Sequence, residues 1–509
     1  MFRTLRDLFG LVRVAWVLAR HDALIPREFS HLVPPVARTV GKIARLGTRD
    51  QDKRPGQRLA AALGDQGPAY VKFGQLLATR PDIIGFEMAR DLGELQDKMP
   101  PFAMEDAENE IARSFGRSAS ELFTSFSEPI AAASIAQVHK AQTKDGRAVA
   151  VKILRPGIES KARREFRVLL LGARLAQRMI PASRRLEPVK FIATLMEASE
   201  FELDLRIEAG SASELRENLR EAEDIVIPEV EWGLSSRRVL TTQWIDGTAL
   251  SDPEALGKRT IDRSRLAQRA MQVFLTTALE QGFFHADMHQ GNLMIDHQGR
   301  LVLIDFGIMG RLDEAARKAF AEIIFGFIRR DYKLAAKAHF DAGYVPEHFN
   351  IEAFATALRA VGEPIFNKRA NEFDMSRVLQ QLFDVTDIFD MHLRPELVLL
   401  QRTMVVVEGV ARVLDPKIDL WRTAEPIVQA YLQKELGAAA FRRRARTSAE
   451  AAVSLIDALP EFAQAAENVA GQLANGGLKL SDDTIVRLAR AMRGKPLRDE
   501  GATKDGKRH

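Results

Sequence analysis

The sequence contains no cysteine. Disulfides, thiolate zinc sites, iron–sulfur clusters and cysteine nucleophiles are excluded together, which suits a chain kept in a reducing compartment. Net charge is scarce as well, since 73 Lys and Arg against 69 Asp and Glu leave +4 over 509 residues. A chain built to coat nucleic acid carries a larger positive excess, so no nucleic-acid partner is expected. Long apolar runs are missing too. No stretch reaches the ~20 uncharged apolar residues that cross a bilayer. The best candidate, Leu397 to Leu414, is interrupted by Arg402, Glu408 and Arg412 and reads as a core helix. The N-terminus lacks the apolar region and cleavage site of a secretory signal, so a soluble or peripheral protein is expected.

The length is enough for about three domains, or for one bilobal unit with additions. Residues 3 to 20 repeat with a helical period. Arg6, Arg13 and Arg20 fall in a narrow sector beside Arg3, while Leu5, Leu8, Phe9, Val12 and Trp16 make a broad apolar side. Two readings fit: a helix lying in a membrane interface, or one docked on the protein's own surface. From Arg58 to Ser127 the pattern is helical, with breaks at Pro81 and Pro100-Pro101. From Pro129 to Leu154 it changes. Two β-branched runs, Ile135 to Ala141 and Ala148 to Leu154, flank Lys144-Asp145-Gly146 and predict a hairpin. A helical stretch is expected from Pro188 to Glu221, then strands at Val226 to Val230 and Val239 to Trp244. Helices dominate from Ile261 onward, apart from strand-like segments at Leu293 to Ile295 and Leu301 to Ile304. Beyond Arg442 the chain turns rich in Ala and Arg, and Gly494 to His509 has the composition of a disordered tail.

The most specific segment is His285-Ala286-Asp287-Met288-His289-Gln290-Gly291-Asn292, followed by the apolar strand pair and Asp305-Phe306-Gly307. A carboxylate, an amide five residues on and a second carboxylate thirteen residues later can converge on an ATP-bound Mg2+ ion. Asp305 would ligate the metal. Asn292 would hold a second ion or the loop, and Asp287 would orient or deprotonate an attacking hydroxyl. Upstream, Val149-Ala150-Val151-Lys152 sets a lysine in an apolar strand, where it needs anionic partners. The α/β-phosphates and a helix glutamate would supply them. Glu208 is the first candidate for that pair and Glu202 the second.

These residues, in this order, resemble the protein-kinase-like fold. Three further motifs look like the UbiB family of atypical kinases, implicated in ubiquinone biosynthesis: Lys72-Phe73-Gly74-Gln75, Gln96-Asp97-Lys98-Met99-Pro100-Pro101, and Ala131-Ala132-Ala133-Ser134-Ile135-Ala136 in place of a glycine-rich loop. Glu202-Leu203-Asp204 matches that family as well. The resemblance covers roughly residues 20 to 435. It implies that the Lys72–Gln75 helix folds over the active site, where Lys72 meets the Glu202–Asp204 segment and restrains access. These four positions, Lys72, Gln75, Glu202 and Asp204, are the expected regulatory set.

Departures from ordinary protein kinases carry their own information. The nucleotide loop aligns as Ala131, Ala133, Ala136 and Val138 where glycines and a valine are usual. Alanine makes positive φ and close backbone approach costly, so the nucleotide should be held differently. Ala286 replaces the arginine that holds a phosphorylated activation loop, and His289 stands where a lysine near the transferred phosphate is usual. Between Gly307 and Arg330 there is no Ser, Thr or Tyr. A phosphorylation-switched loop has nothing to phosphorylate. The adenine hinge is expected at Gln243 to Gly247, through the backbone around Trp244 and Ile245.

The expected fold is α+β: a bilobal kinase-like unit with a helical N-terminal extension and a helical C-terminal region. Expected divisions are an amphipathic membrane-associating helix (1–30), a helical extension (31–127), an N-lobe (128–247), a C-lobe (248–435) and a tail (436–509). Expected cofactors are ATP and Mg2+. Membrane lipids, ubiquinone precursors and ubiquinone-biosynthesis enzymes are the partners implied, at the cytoplasmic face of the inner membrane. Similar bacterial proteins often end in hydrophobic segments; here Arg442-Arg443-Arg444 and a charged tail imply peripheral docking, or an anchor if the chain is shortened.

Overall fold

The apolar spacing of the first twenty residues is realised as one helix, α1 (Phe2–Arg20). The computed structural model describes residues 2–23, 53–78, 84–93, 95, 99–179, 184, 187–252, 254, 257, 261–365, 381, 384–386, 388–391 and 395–436. The expected tail, most of the segment after α1, and Gln96 to Lys98 lie outside the described residues. Residues Met1–Leu432 form one compact unit; Gln433–His509 is a second.

Helices α2 (Pro55–Gly64), α3 (Pro68–Ala78) and α4 (Phe86–Gly93) make up the described part of the extension. The Lys72–Gln75 motif lies on α3. Its glycine is there for close approach: a Cβ on Gly74 would stand 2.4 Å from Leu95 and 2.8 Å from Leu63. Leu63, Tyr70, Met88 and Leu92 form a small core beneath α3, joined by Val14 of α1. Helices α5 (Met104–Phe115) and α6 (Ala119–Leu122) lead into the first sheet.

That sheet is antiparallel, with β1 (Phe123–Ala132), β2 (Ala136–Thr143) and β3 (Ala148–Leu154) followed in order by a fourth strand described below. The hairpin falls where the Lys144-Asp145-Gly146 turn predicts it. β1 begins earlier than expected, at Phe123 rather than Pro129. Leu122, Phe123 and Phe126 are spaced as a helix face would be, but Phe123 and Phe126 pair with Thr143 and Ala141. Tertiary pairing overrides the local pattern. On β3 the alternation is strict: Val149, Val151 and Ile153 pack on Ala107 and Ile111 of α5, which turns Lys152 to the opposite face.

Next come α7 (Ile158–Met179), α8 (Pro188–Glu202) and α9 (Leu205–Asn218). α7 occupies a stretch to which no element is assigned above. It is rich in Arg and Lys outside and buries Ile158, Ala162, Phe166, Val168 and Ala173. The single expected helix from Pro188 is two, because Asp204 caps the second by accepting from the Arg206 N–H at 3.1 Å. β4 is only Ile225–Val226; Pro228 offers no N–H to continue it, and Val230 makes a single bridge to Thr242. β5 (Val239–Gln243) completes the first sheet beside β3, and β6 (Gly247–Ala249) opens the larger lobe.

The remaining elements are α10 (Arg263–Thr276), β7 (Phe283–His285), β8 (Leu293–Asp296), β9 (Leu301–Leu303), β10 (Met309–Arg311), α11 (Glu314–Arg329), α12 (Tyr332–Asp341), α13 (Ile351–Gly362), α14 (Pro395–Leu414) and α15 (Leu420–Leu436). β8 and β9 form the hairpin that carries Asn292 and Asp305 at its mouth; Leu293 pairs with Leu303, and Ile304 N–H donates to Asn292 O at 3.2 Å. One apolar core links Leu205, Ala209 and Leu215 of α9 to Phe274 of α10 and to Val407 and Ala411 of α14. The α+β class and helical C-terminal region follow the expectation.

Candidate active site

Lys152 reaches from β3 to two carboxylates on different elements. Its Nζ lies 2.7 Å from Glu208 Oε1 and 3.0 Å from Asp305 Oδ2. Glu208, in the first turn of α9, is the partner, and Glu202 at the end of α8 is not. Burial opposes the charge on Lys152, but Asp305 and Glu208 outweigh it and hold its pKa above the ordinary lysine value. Enclosure would raise Asp305; Lys152 and the Gly307 N–H, 3.0 Å from Oδ1, instead hold it well below the usual carboxylate range. Burial and the neighbouring Asp305 push Glu208 up, against the pull of Lys152. The three form a charge-paired unit with one surplus negative charge.

The loop after β7 is built by short hydrogen bonds. The Asp287 N–H donates to His285 Nδ1 at 3.1 Å, so that ring nitrogen is the acceptor, and Nε2 donates to the Asp305 carbonyl. Burial lowers the His285 pKa and keeps this arrangement neutral. Asn292 Nδ2 donates to Asp287 O at 3.0 Å, which leaves its Oδ1 for another partner. Ala286 N–H donates to Ile308 O at 3.0 Å, and Met309 pairs with His285. The two catalytic-type segments are therefore stitched together. Asp287 is flanked by His289 Nε2 at 3.6 Å and by Arg402 Nη2 at 4.0 Å.

A divalent ion can be tested against this donor set. Among the described residues no group of three His, Asp or Glu side chains could hold a metal alone. Asp305, with 42% of its side chain exposed, and the Asn292 amide oxygen are hard oxygen donors at the mouth of one hairpin. Mg2+ takes few protein ligands and completes its shell with water and substrate phosphates. The residues fit a Mg2+ ion brought in with phosphate, which Asp305 and Asn292 would hold.

Above them lies the alanine-rich turn. Ala131 and Ala132 end β1, paired with Val138 and Gln137, and Ala133 N–H donates to Ala136 O at 2.8 Å, closing a turn on Ser134 and Ile135. None of these residues has positive φ. Arg155 pins the turn: its Nε and Nη2 donate to Ala133 O at 3.0 and 2.9 Å, and its backbone N–H donates to Ile135 O at 2.8 Å. Nη2 also reaches Pro100 O at 2.7 Å. Ser134 is buried, and its Oγ has no hydrogen-bond partner among the described residues. At the hinge, the Trp244 N–H is already given to Ala148 O at 3.0 Å. Among the described residues, the Trp244 carbonyl and the Ile245 N–H have no backbone hydrogen-bond partner.

Lys72 Nζ is 2.9 Å from Glu202 Oε2. Asp204 does not join them. It caps α9 and pairs with Arg206 at 2.6 Å. Gln75 is half-buried on the same helix as Lys72 and makes no hydrogen bond among the described residues. Arg155 and Arg402 are the site residues that sequence reading passes over. Arg402 is visible there only as a charge interrupting an apolar run.

Comparison with known proteins agrees with the kinase-like fold. The ABC1 atypical kinase-like domain matches residues 94–339, and the UbiB helical domain matches 358–419. A probable protein kinase UbiB of Marinobacter nauticus is 38% identical over 435 residues, covering 84% of this chain and 79% of that protein. That of Cellvibrio japonicus is 37% identical over 431 residues, covering 83% and 77%. Among solved structures, the complex of Rv3197 with erythromycin from Mycobacterium tuberculosis aligns with a TM-score of 0.50 at 24% identity, over 77% of this chain and 97% of that one. That likeness concerns the fold alone.

Proposed function

The chain belongs to the UbiB family of ABC1 atypical kinase-like proteins, and from that premise we propose that it binds MgATP and couples its hydrolysis to ubiquinone biosynthesis at a membrane surface. The observation that carries the nucleotide reading is Lys152 held between Glu208 and Asp305. Lys152 is already charged and aimed at the cleft, ready to meet phosphate oxygens. Asp287 would orient the attacking oxygen and take its proton. Asn292 fixes the Asp287 backbone, and the Trp244 carbonyl and Ile245 N–H would read adenine. Mg2+, when bound, neutralises the phosphate oxygens.

Work on a lipid-borne phenol is supported by α1. Its Leu8, Phe9, Val12 and Trp16 are exposed, while Ala19 is buried, Val14 joins the core beneath α3 and Asp7 pairs with Arg167 at 3.4 Å. The helix is docked on one side and apolar on the other. Among the described residues, no helix is long and apolar enough to cross a membrane. Such a face suits a bilayer surface.

A second reading is a small-molecule or lipid kinase that passes the γ-phosphoryl group to a polyprenyl phenol. The same Asp287 would serve it. A protein kinase is disfavoured, because only eight residues lie between Asp305 and the start of α11 at Glu314, leaving no extended segment to seat a peptide. The test is phosphate release from MgATP with and without anionic vesicles and a ubiquinone-like phenol, with Asp305→Asn as the blank. Release that rises with either addition and vanishes in the variant supports the ATPase. Labelled phosphate appearing on the phenol selects the kinase, and neither result with MgATP bound sinks both.

A further inference from the structure

Helix α14 lies in the C-terminal helical region, yet it touches the catalytic loop. Its buried stripe includes Leu400, Thr403, Val407 and Ala411. Thr403, wholly buried, places its single hydroxyl proton between Leu399 O of its own helix at 2.8 Å and Ala286 O of the loop at 3.0 Å. That contact sets the helix against the loop one residue from Asp287. The neighbouring side chain, Arg402, consequently faces Asp287, with Nη2 4.0 Å from Oδ1 and 37% of the side chain exposed.

The other cations near the site are committed. Lys152 is paired with Glu208 and Asp305. His289 accepts the Gly291 N–H on Nδ1 at 3.0 Å, and its Nε2 lies 3.6 Å from Asp287 Oδ2. Arg402 makes its one polar contact among the described residues with Asp287. At 4.0 Å that contact is longer than a closed charge-assisted hydrogen bond of about 2.7–2.9 Å. The guanidinium keeps donors free for an anion beside the carboxylate.

We propose that Arg402 is the cation of the transfer site, contacting an oxygen of the transferred phosphoryl group beside Asp287. This inference rests on the MgATP reading above. In the step itself, the acceptor oxygen forms a bond to the γ-phosphorus. The bond from that phosphorus to the bridging oxygen breaks, ADP departs with the bridging electron pair, and the acceptor proton passes to Asp287. Negative charge spreads over the phosphoryl oxygens as the bonds exchange, and Arg402 stabilises it. The helical region thus completes a catalytic centre that the kinase-like lobes leave short of one positive charge.

The full chain is tested as Arg402→Ala and Arg402→Lys. In phosphate release, Arg402→Ala is expected to lower kcat about 100-fold or more. The KM for MgATP should stay within about threefold, and thermal melting should not change. Free guanidinium at millimolar concentration should restore part of the alanine variant's rate, and Arg402→Lys should fall between. A binding readout needs no turnover: wild type should bind MgADP with aluminium fluoride more tightly than MgADP alone, and Arg402→Ala should lose that increment. The proposal is overturned by an alanine variant with wild-type kcat. It is equally overturned by a rate loss that follows nucleotide affinity or melting and resists guanidinium, or by an aluminium fluoride increment that is absent in wild type or survives in the variant. Failure of wild type to bind MgADP at all sinks the underlying reading instead.

Discussion

Lys72 on α3 and Glu202 at the end of α8 meet at 2.9 Å, with only 15% and 22% of their side chains exposed. One ion pair thereby ties the helical extension to the segment that precedes α9, the helix carrying Glu208. A second tie lies at the other end of α3, where the Glu165 carboxylate accepts the Ala69 N–H at 3.0 Å. Helix α3 is pinned at two points to elements that shape the cleft.

Breaking the first pin should free α3 without unfolding the protein. The pair is largely enclosed, so Lys72→Ala and Glu202→Ala should each cost about 1–3 kcal/mol and lower the melting temperature by a few degrees. Deuterium uptake across residues 68–78 should rise in both, and release of a fluorescent ADP should quicken. The charge-swapped double variant should recover part of the protection. Equal uptake in wild type and single variants would count against the latch.

The alanine turn gives a sharper expectation. No residue of the turn needs positive φ, and Arg155 holds two of its carbonyls. Ala133→Gly would loosen the backbone where phosphates approach. Affinity for MgATP or MgADP should shift measurably in titration calorimetry, whereas superimposable isotherms would remove the turn from nucleotide selection.

On α1, serine at Leu8, Phe9 and Trp16 together should abolish binding to vesicles containing phosphatidylglycerol. Each large apolar side chain contributes about 1.5–3 kcal/mol when buried, so partitioning should fall by at least tenfold. Wild-type binding should weaken with salt, because Arg6, Arg13 and Arg20 share the helix. Retained sedimentation of the triple variant would show that lipid is engaged elsewhere.

Stability should decline in mild acid. Burial lowers the pKa of His339 from 6.5 to about 4, while Nδ1 donates to Ala335 O at 2.7 Å. The unfolded chain takes up that proton first. The stabilisation is full above about pH 6.5 and is lost as pH falls toward 4. Between pH 7 and 5 this one group should cost about 2 kcal/mol in urea unfolding. His339→Gln should flatten that slope, although its unfolding free energy at pH 7 is expected to be lower. An unaltered slope would place the acid sensitivity at other buried histidines, such as His139 or His285.

What could be read from sequence was whatever local spacing and residue chemistry determine. Lys152, Asp287, Asn292 and Asp305 stand in a fixed order on strand, loop and hairpin, and each has little freedom to be elsewhere. The choice of Glu208 over Glu202 depended on a helix break at Leu203-Asp204, which only the capping geometry displays. Arg155 and Arg402 were illegible for another reason. Each acts across a tertiary contact, Arg155 on a turn far upstream and Arg402 on a loop far upstream, and nothing beside them in the chain marks the partner. The early start of β1 belongs to the same class, since its first residues are strand only because Thr143 and Ala141 lie opposite.

The segment after Asp305 is spent almost at once. Met309–Arg311 pairs with Phe283–His285, and α11 begins at Glu314. A signalling enzyme keeps a dial there, a stretch of chain that other enzymes can write on and erase. This protein has soldered the dial in place. Control of its work would then have to act through other elements, such as the contact between α3 and the end of α8.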